Sequence, residues 1–214
     1  MRVLITGANR GIGAALSQTL DARGNEVIGT ARAAQGCVPL DVTQPNQITA
    51  LARQLSDAPL DALICNSGVF HDKHERLDDG YPPEMWAQEF AVNVTGVFLM
   101  VQAFLPHLRK APAPKVMIIS SQLGSMARAT GGKYIYRASK AAALNLGRNL
   151  SVDLAPQGIA VGIYHPGWVR TDMGGSDGDL TAEEAASGLA DRLAALSLDT
   201  SGCFETWDGR THPD

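Results

Sequence analysis

Short apolar runs rich in β-forming residues alternate along the chain with longer stretches in which Ala, Leu, Gln and Glu mix apolar with polar positions. That alternation marks successive βαβ units around a parallel sheet, because a crossover between parallel strands needs a helix to bring the chain back. Strands are predicted over 2–6, 26–31, 61–65, 115–120, 159–164 and 203–207, and helices over 12–23, 44–56, 84–110, 134–155 and 181–196. Pro106 is expected to kink or end the long helix after Phe104, and the length of 84–110 leaves room for two pieces. The polar stretches 71–83 and 174–180, punctuated by Gly and Pro or by Gly and Asp, are expected to be loops and the variable lips of a site. No repeat, low-complexity tract or linker divides the 214 residues, so the expectation is one α/β domain, a doubly wound parallel sheet with helices on both faces.

Composition narrows the class. Apolar residues make up 45% and charged residues 19%, which are globular values. No uninterrupted apolar run approaches the length of a bilayer crossing, and the apolar run at the N-terminus is too short for a signal peptide and reads as the first strand. A soluble protein is expected. A net charge of −4 and the lack of a dense Lys/Arg run argue against nucleic acid or a membrane as partner, so any anion binding must be local. Cys37, Cys65 and Cys203 are odd in number and widely spaced, which suits a reducing cytoplasm better than a disulfide framework or a metal site.

Directly after the first strand comes Thr6-Gly7-Ala8-Asn9-Arg10-Gly11-Ile12-Gly13, so three glycines open a helix behind a strand. Gly7 permits the tight turn, Gly11 lets backbone approach a pyrophosphate, Gly13 allows close packing, and the first N–H groups of the helix attract anionic charge. Glycines also make tight turns with no ligand at all, but this position after a first strand is that of a dinucleotide site in a Rossmann-type fold. The second strand ends in Thr30-Ala31-Arg32 with no acid for an adenosine ribose. Arg32 offers a planar fork for a 2′-phosphate and Arg10 approaches from the glycine turn, which together point to NADP(H).

Tyr136 and Lys140 stand four residues apart at the start of a helix and project from one face. A nearby cation favours tyrosinate and would bring the phenol toward a range useful for proton transfer. Tyr134, two residues earlier, falls on another face. The run 115–120 reads as a buried strand that ends in the hydroxyls of Ser120 and Ser121, where parallel sheets place ligand groups.

These segments resemble the short-chain dehydrogenase/reductase family. TGANRGIG at 6–13, CNSG at 65–68, NVTG at 93–96, ISS at 119–121, YRASK at 136–140 and HPGWVRTDM at 165–173 occur in family order over nearly the whole chain. The GGKYIYRASKAA stretch and the ending from Gly202 to Gly209 are similar to the C-factor and sniffer-like carbonyl reductase branch. The resemblance implies Tyr136 as general acid/base, Lys140 at the nicotinamide ribose, Ser121 polarising the substrate carbonyl and Asn93 holding a water of the proton relay. For the cofactor it implies Gly7, Asn9, Arg10, Gly11, Ile12 and Gly13 in the first turn, then Arg32, then Asp41 and Val42 at the adenine. It further implies Asn66, Ser67 and Gly68 after the third predicted strand, with Asn66 chiefly structural, and Pro166, Gly167, Val169 and Thr171 on the nicotinamide side. A homodimer or homotetramer built through the helices around 84–110 and 134–155 is also implied.

Ser121 lies fifteen residues before Tyr136, slightly more than the family's spacing, so Ser120 and the more distant Ser125 stand as alternatives. His71, His74 and Glu75 lack a third well-spaced ligand and read as solvated loop residues, and no metal is expected. Trp86, Trp168 and Trp207 read as packing residues, with Trp168 placed to border the nicotinamide pocket, and His165 is a candidate pocket residue. Three functions are weighed: reduction of a carbonyl or oxidation of an alcohol, a nucleotide-binding signalling or regulatory protein, and an epimerase, for which the chain is short. Four retained side chains, Asn93, Ser121, Tyr136 and Lys140, favour the first. Substrate choice would lie in 71–83 and 174–190.

Overall fold

The computed structural model describes every residue except Ala34, Ser56 and Asp57. Its strands are β1 (Arg2–Thr6), β2 (Glu26–Ala31), β3 (Val38–Pro39), β4 (Ala62–Cys65), β5 (Lys115–Ile119), β6 (Ala160–His165) and β7 (Phe204–Thr206). They form one sheet in the order β3-β2-β1-β4-β5-β6-β7, and every pairing is parallel. Helices α1 (Gly11–Ala22), α2 (Pro45–Gln54), α3 (Pro83–Phe90), α4 (Gly96–Leu108), α5 (Tyr134–Leu154) and α6 (Ala182–Ala195) cover it. This is the doubly wound Rossmann-type architecture, and the strand order reverses between β1 and β4, where such sheets open a crevice at their C-terminal ends.

The strands are apolar on both faces because both are covered. Val3, Ile5, Ile64, Met117 and Ile119 pack with Leu16 and Leu20 of α1 and Leu189 and Leu193 of α6. The alternate positions Leu4, Leu63, Val116, Ile118 and Ile163 pack with Ile48 of α2, Met100 and Phe104 of α4 and Leu144 of α5. At about 1.5–3 kcal/mol for each buried aliphatic or aromatic side chain, these two layers supply most of the drive to fold.

Three expectations are refined. The two-residue β3 escaped prediction because Gly36 stands just before it and Pro39 is its second residue, leaving no run long enough to alternate. The expected helix 84–110 is two helices joined by a π turn, Ala91–Thr95, in which Asn93 is buried. Pro106 does not stop α4 at Phe104: it sits in the final turn, and the carbonyl it deprives of a donor belongs to Gln102, which is exposed to water as Pro106 itself is. The end of the expected helix 44–56 at Ser56 lies outside the described residues.

The continuous helical stretch Pro83–Leu108 is long and apolar enough by composition to cross a membrane, contrary to the expectation that no segment would be. Its packing explains the composition. Val97, Met100, Val101, Phe104 and Leu108 are buried against the sheet, so the apolar character is that of a core helix.

Candidate active site

The C-terminal ends of β1, β4, β5 and β6 lie side by side in the sheet, and every motif singled out in the sequence follows one of them or packs on it. The glycine turn leaves β1 with Gly7 at φ +70° and Gly11 at φ +53°, both in the left-handed region that favours glycine. A Cβ on Gly13 would sit 2.2 Å from the Gly7 carbonyl oxygen and 2.5 Å from Asn66 Nδ2, so only glycine lets the helix start this close to the turn. Asn66 braces it, donating through Nδ2 to the carbonyls of Thr6 and Gly7 at 2.9 and 3.1 Å, while Thr6 Oγ1 accepts from the backbone of Asn66 and Ser67.

Helix α1 starts with no side-chain cap and no acid in its first turn. Its leading N–H groups have no acceptor inside the helix and are left for an external anion. An uncapped, acid-free helix start built on glycines is the shape and charge a pyrophosphate requires, so these residues fit a dinucleotide. Around it, Arg32 is exposed at the end of β2 and has no ion pair among the described residues. Arg10 is engaged elsewhere, pairing with Asp172 at 2.8 Å across the mouth. Asn9 is exposed and Ile12 half-buried against the core.

Asp41 accepts from the Thr43 backbone and hydroxyl at 2.9 and 2.7 Å and so shapes the entry to α2, and Val42 is buried against Gly96. The segment Pro166 to Thr171 returns over the glycine turn: Gly167 takes φ +89°, Val169 is buried, and the Thr171 methyl would touch a Cβ on Gly11 at 3.2 Å. Trp168 is half-exposed and donates to the Gly174 carbonyl at 2.9 Å, so it borders the cleft rather than packing in the core. His165 is buried at the end of β6 against His212, and burial lowers its pKa to about 4.

On the other side of the cleft, α5 carries Tyr136 and Lys140, both buried. The Ser121 hydroxyl, which accepts from the Leu123 N–H at 3.1 Å, faces the Tyr136 phenol and favours its ionised form. Ser120 turns away and donates to the Lys140 carbonyl at 3.0 Å, while Ser125 is buried with no partner for its hydroxyl among the described residues. Lys140 Nζ donates to the Ile119 carbonyl at 3.0 Å and lies 5.6 Å from the centre of the Tyr136 ring. A Cβ on Gly68 would stand 3.5 Å from Lys140 Nζ and 3.4 Å from Asn93 Oδ1, so the absence of a side chain there keeps the three groups in one small space.

Electrostatics correct one expectation. Lys140 was expected to bring the phenol's pKa down, but the net shift of Tyr136 is upward, with burial the largest cause. The Ser121 hydroxyl works against burial, and the nearby carboxylates of Glu89 and Asp72 work with it. Lys140 is lowered to about 8, again by burial. The phenol is therefore held in its protonated form at neutral pH.

Several residues of the site escaped the sequence reading. Phe70 stacks on Tyr136 with ring centroids 4.1 Å apart. Asp72 and Glu89 are fully buried carboxyls, and Glu89 is pushed up to about 7 by burial. In the sequence Asp72 sits in a polar run, HDKHE, that reads as solvated loop, and no composition signal separates it from its neighbours. His71 and His74 are exposed, and no three His, Cys, Asp or Glu side chains come together as a metal site among the described residues.

A family model for short chain dehydrogenases matches residues 1–180. C-signal of Myxococcus xanthus is 37% identical over 165 residues, covering 77% of this chain and 98% of its own. The NADPH-bound carbonyl reductase from chicken fatty liver superposes with a TM-score of 0.90 at 33% identity, covering 100% of this chain and 98% of its own. The carbonyl reductase Sniffer of D. melanogaster gives 0.94 at 27%, with 100% and 99% covered. With the glycine turn, the Tyr-x-x-x-Lys face and the strand order already in place, these matches make the chain a member of the short-chain dehydrogenase/reductase family.

Proposed function

We propose that this oxidoreductase is an NADP(H)-dependent reductase of aldehydes or ketones in which Tyr136 delivers the proton. The observation that carries the reading is the buried Tyr136 phenol with Lys140 Nζ 5.6 Å from its ring, both facing the space that Gly68 leaves open at the end of the sheet. A carbonyl oxygen placed between the Ser121 and Tyr136 hydroxyls receives two hydrogen bonds, and these strengthen as negative charge develops on it. Tyr136 then gives its proton to that oxygen. Bound NADPH supplies the hydride. Lys140 would hold positive charge beside the phenol as it loses its proton and contact the nicotinamide ribose, while Asn93 would hold a water of the proton relay.

Preference for the phosphorylated cofactor rests on Arg32 and on the acid-free end of β2. The chicken liver carbonyl reductase, 33% identical along the full chain, was solved with NADPH. Gly7, Asn9, Gly11, Ile12 and Gly13 would hold the pyrophosphate, Asp41, Val42, Ser67 and Gly68 the adenosine side, and Pro166, Gly167, Val169 and Thr171 the nicotinamide side. Phe98 on α4 and Val152 on α5 are exposed apolar side chains on the helices through which a homo-oligomer would form, and the three free cysteines suit the cytoplasm.

The 37% identity to a protein named C-signal keeps a nucleotide-binding regulatory role as a second reading. NADPH oxidation followed across a panel of aldehydes and ketones, with NADH in parallel, separates them. Turnover supports the reductase, and cofactor binding with no turnover on any carbonyl supports the regulator.

A further inference from the structure

Helix α5 begins without a capping side chain of its own. Its N-cap residue is Lys133, in the left-handed conformation at φ +54° after Gly131 and Gly132 at +77° and +64°. A lysine has no acceptor for the N–H groups that a Ser, Thr, Asn or Asp normally receives at this position. The acceptor comes instead from the loop after β4. Asp72, fully buried, accepts from the Ile135 N–H at 2.8 Å through Oδ2 and from the Tyr136 N–H at 3.3 Å through Oδ1. These are the second and third N–H groups of the helix, the pair an N-cap side chain satisfies. Tyr81 completes the collar, its hydroxyl accepting from the Lys133 N–H at 3.1 Å.

The loop that carries Asp72 is itself held at each step. Asn93 grips both the N–H and the carbonyl of Val69 at 2.9 Å, Phe70 stacks on the Tyr136 ring, and Glu89 Oε2 accepts from the His71 N–H at 2.9 Å. One four-residue segment therefore fixes the backbone and the ring of Tyr136 together and ties them to α3 and the π turn.

We propose that Asp72 is a positioning residue for the reaction: a helix cap supplied from outside α5 that sets where the Tyr136 phenol points. This rests on Tyr136 being the proton donor. The groups facing the phenol are Ser121 from the end of β5, Lys140 on α5, Glu89 on α3 and Asp72 itself. Asp72→Asn keeps one acceptor oxygen and removes the charge, whereas Asp72→Ala removes both.

The test compares the full-length wild type, Asp72→Asn, Asp72→Ala and Tyr136→Phe, using NADPH and the best substrate from a carbonyl panel that includes 4-nitrobenzaldehyde. Asp72→Ala should bind NADPH as the wild type does and lose about 10²-fold in kcat, the scale set by misplacing a reacting group by about an ångström. Asp72→Asn should recover most of that loss, while the alkaline limb of its kcat profile moves to lower pH, because removing a negative neighbour makes both the Lys140 ammonium and the phenol lose their protons sooner. An unmoved limb in Asp72→Asn, or wild-type kcat in Asp72→Ala, overturns the role of Asp72 while Tyr136→Phe remains inactive. If Asp72→Ala does not fold, the limb of Asp72→Asn decides alone. An active Tyr136→Phe, or a panel with no substrate, overturns the underlying reading and this one with it.

Discussion

Asn93 Nδ2 donates to Ser139 Oγ at 3.0 Å, and that hydroxyl in turn donates to the Tyr136 carbonyl at 2.8 Å, so the π turn and the helix bearing the phenol are joined by one buried chain of hydrogen bonds. The same amide also holds both backbone groups of Val69. Asn93→Ala takes partners from the half-buried Val69 N–H and carbonyl, which water can reach, and from the buried Ser139 hydroxyl, which keeps its bond to Tyr136; the cost is about 1–3 kcal/mol in all. Thermal unfolding should shift down by roughly 4–8 °C, taking about 2 kcal/mol in a chain of this size. Ser139→Ala removes two bonds where Asn93→Ala removes three, and should shift the midpoint less. Differential scanning calorimetry of the two variants checks the order.

The pH dependence of stability carries two opposed contributions. Glu89 is raised to about 7 in the fold, so the folded state holds more protons than the unfolded chain between the ordinary carboxyl range and 7, and this contribution is lost as pH rises through that window. His165 is lowered to about 4, so the unfolded chain holds more protons between about 4 and 6.5, and stability is lost as pH falls there. The two slopes partly cancel in the wild type. Glu89→Gln should expose the histidine contribution as a steeper loss on acidification, measured by urea unfolding at pH 7, 6 and 5. An unchanged slope contradicts the assignment of Glu89.

The cofactor-facing half of the site was legible in the sequence because its demands are local. A glycine at φ +70° or one with a backbone oxygen where its Cβ would be leaves a fixed spacing, and so does a Tyr–Lys pair on one helical face. Six of the seven strands announced themselves as short β-rich runs, and the central ones, β1, β4, β5 and β6, are apolar on both faces. What stayed hidden was set by tertiary contact. The π turn at Ala91–Thr95 has no composition of its own. Asp72 is one acid in a polar loop until folding brings α5 against it, and burial reverses the shift that a lysine neighbour alone would give Tyr136.

The proposed preference for NADPH rests on Arg32. NADPH should bind more tightly than NADH at fixed salt. Arg32→Asp should weaken NADPH binding by about 10- to 100-fold, the worth of one or two charge-assisted hydrogen bonds of about 1.5–3 kcal/mol, and should favour NADH. Because Arg10 is paired with Asp172, Asp172→Asn should release it and tighten NADPH binding modestly. Fluorescence titration with both cofactors gives the constants. Equal affinities in the wild type defeat the assignment.

The most direct measurement is the single-turnover rate of hydride transfer from NADPH to a reactive carbonyl compound in wild type and Tyr136→Phe, alongside the NADPH dissociation constant of each. The substitution keeps the ring that stacks on Phe70 and removes only the hydroxyl. The account predicts a rate lower by about 10²–10⁴-fold, the loss expected when a general acid is removed, with cofactor affinity unchanged. A Tyr136→Phe protein that reduces the carbonyl at the wild-type rate contradicts it.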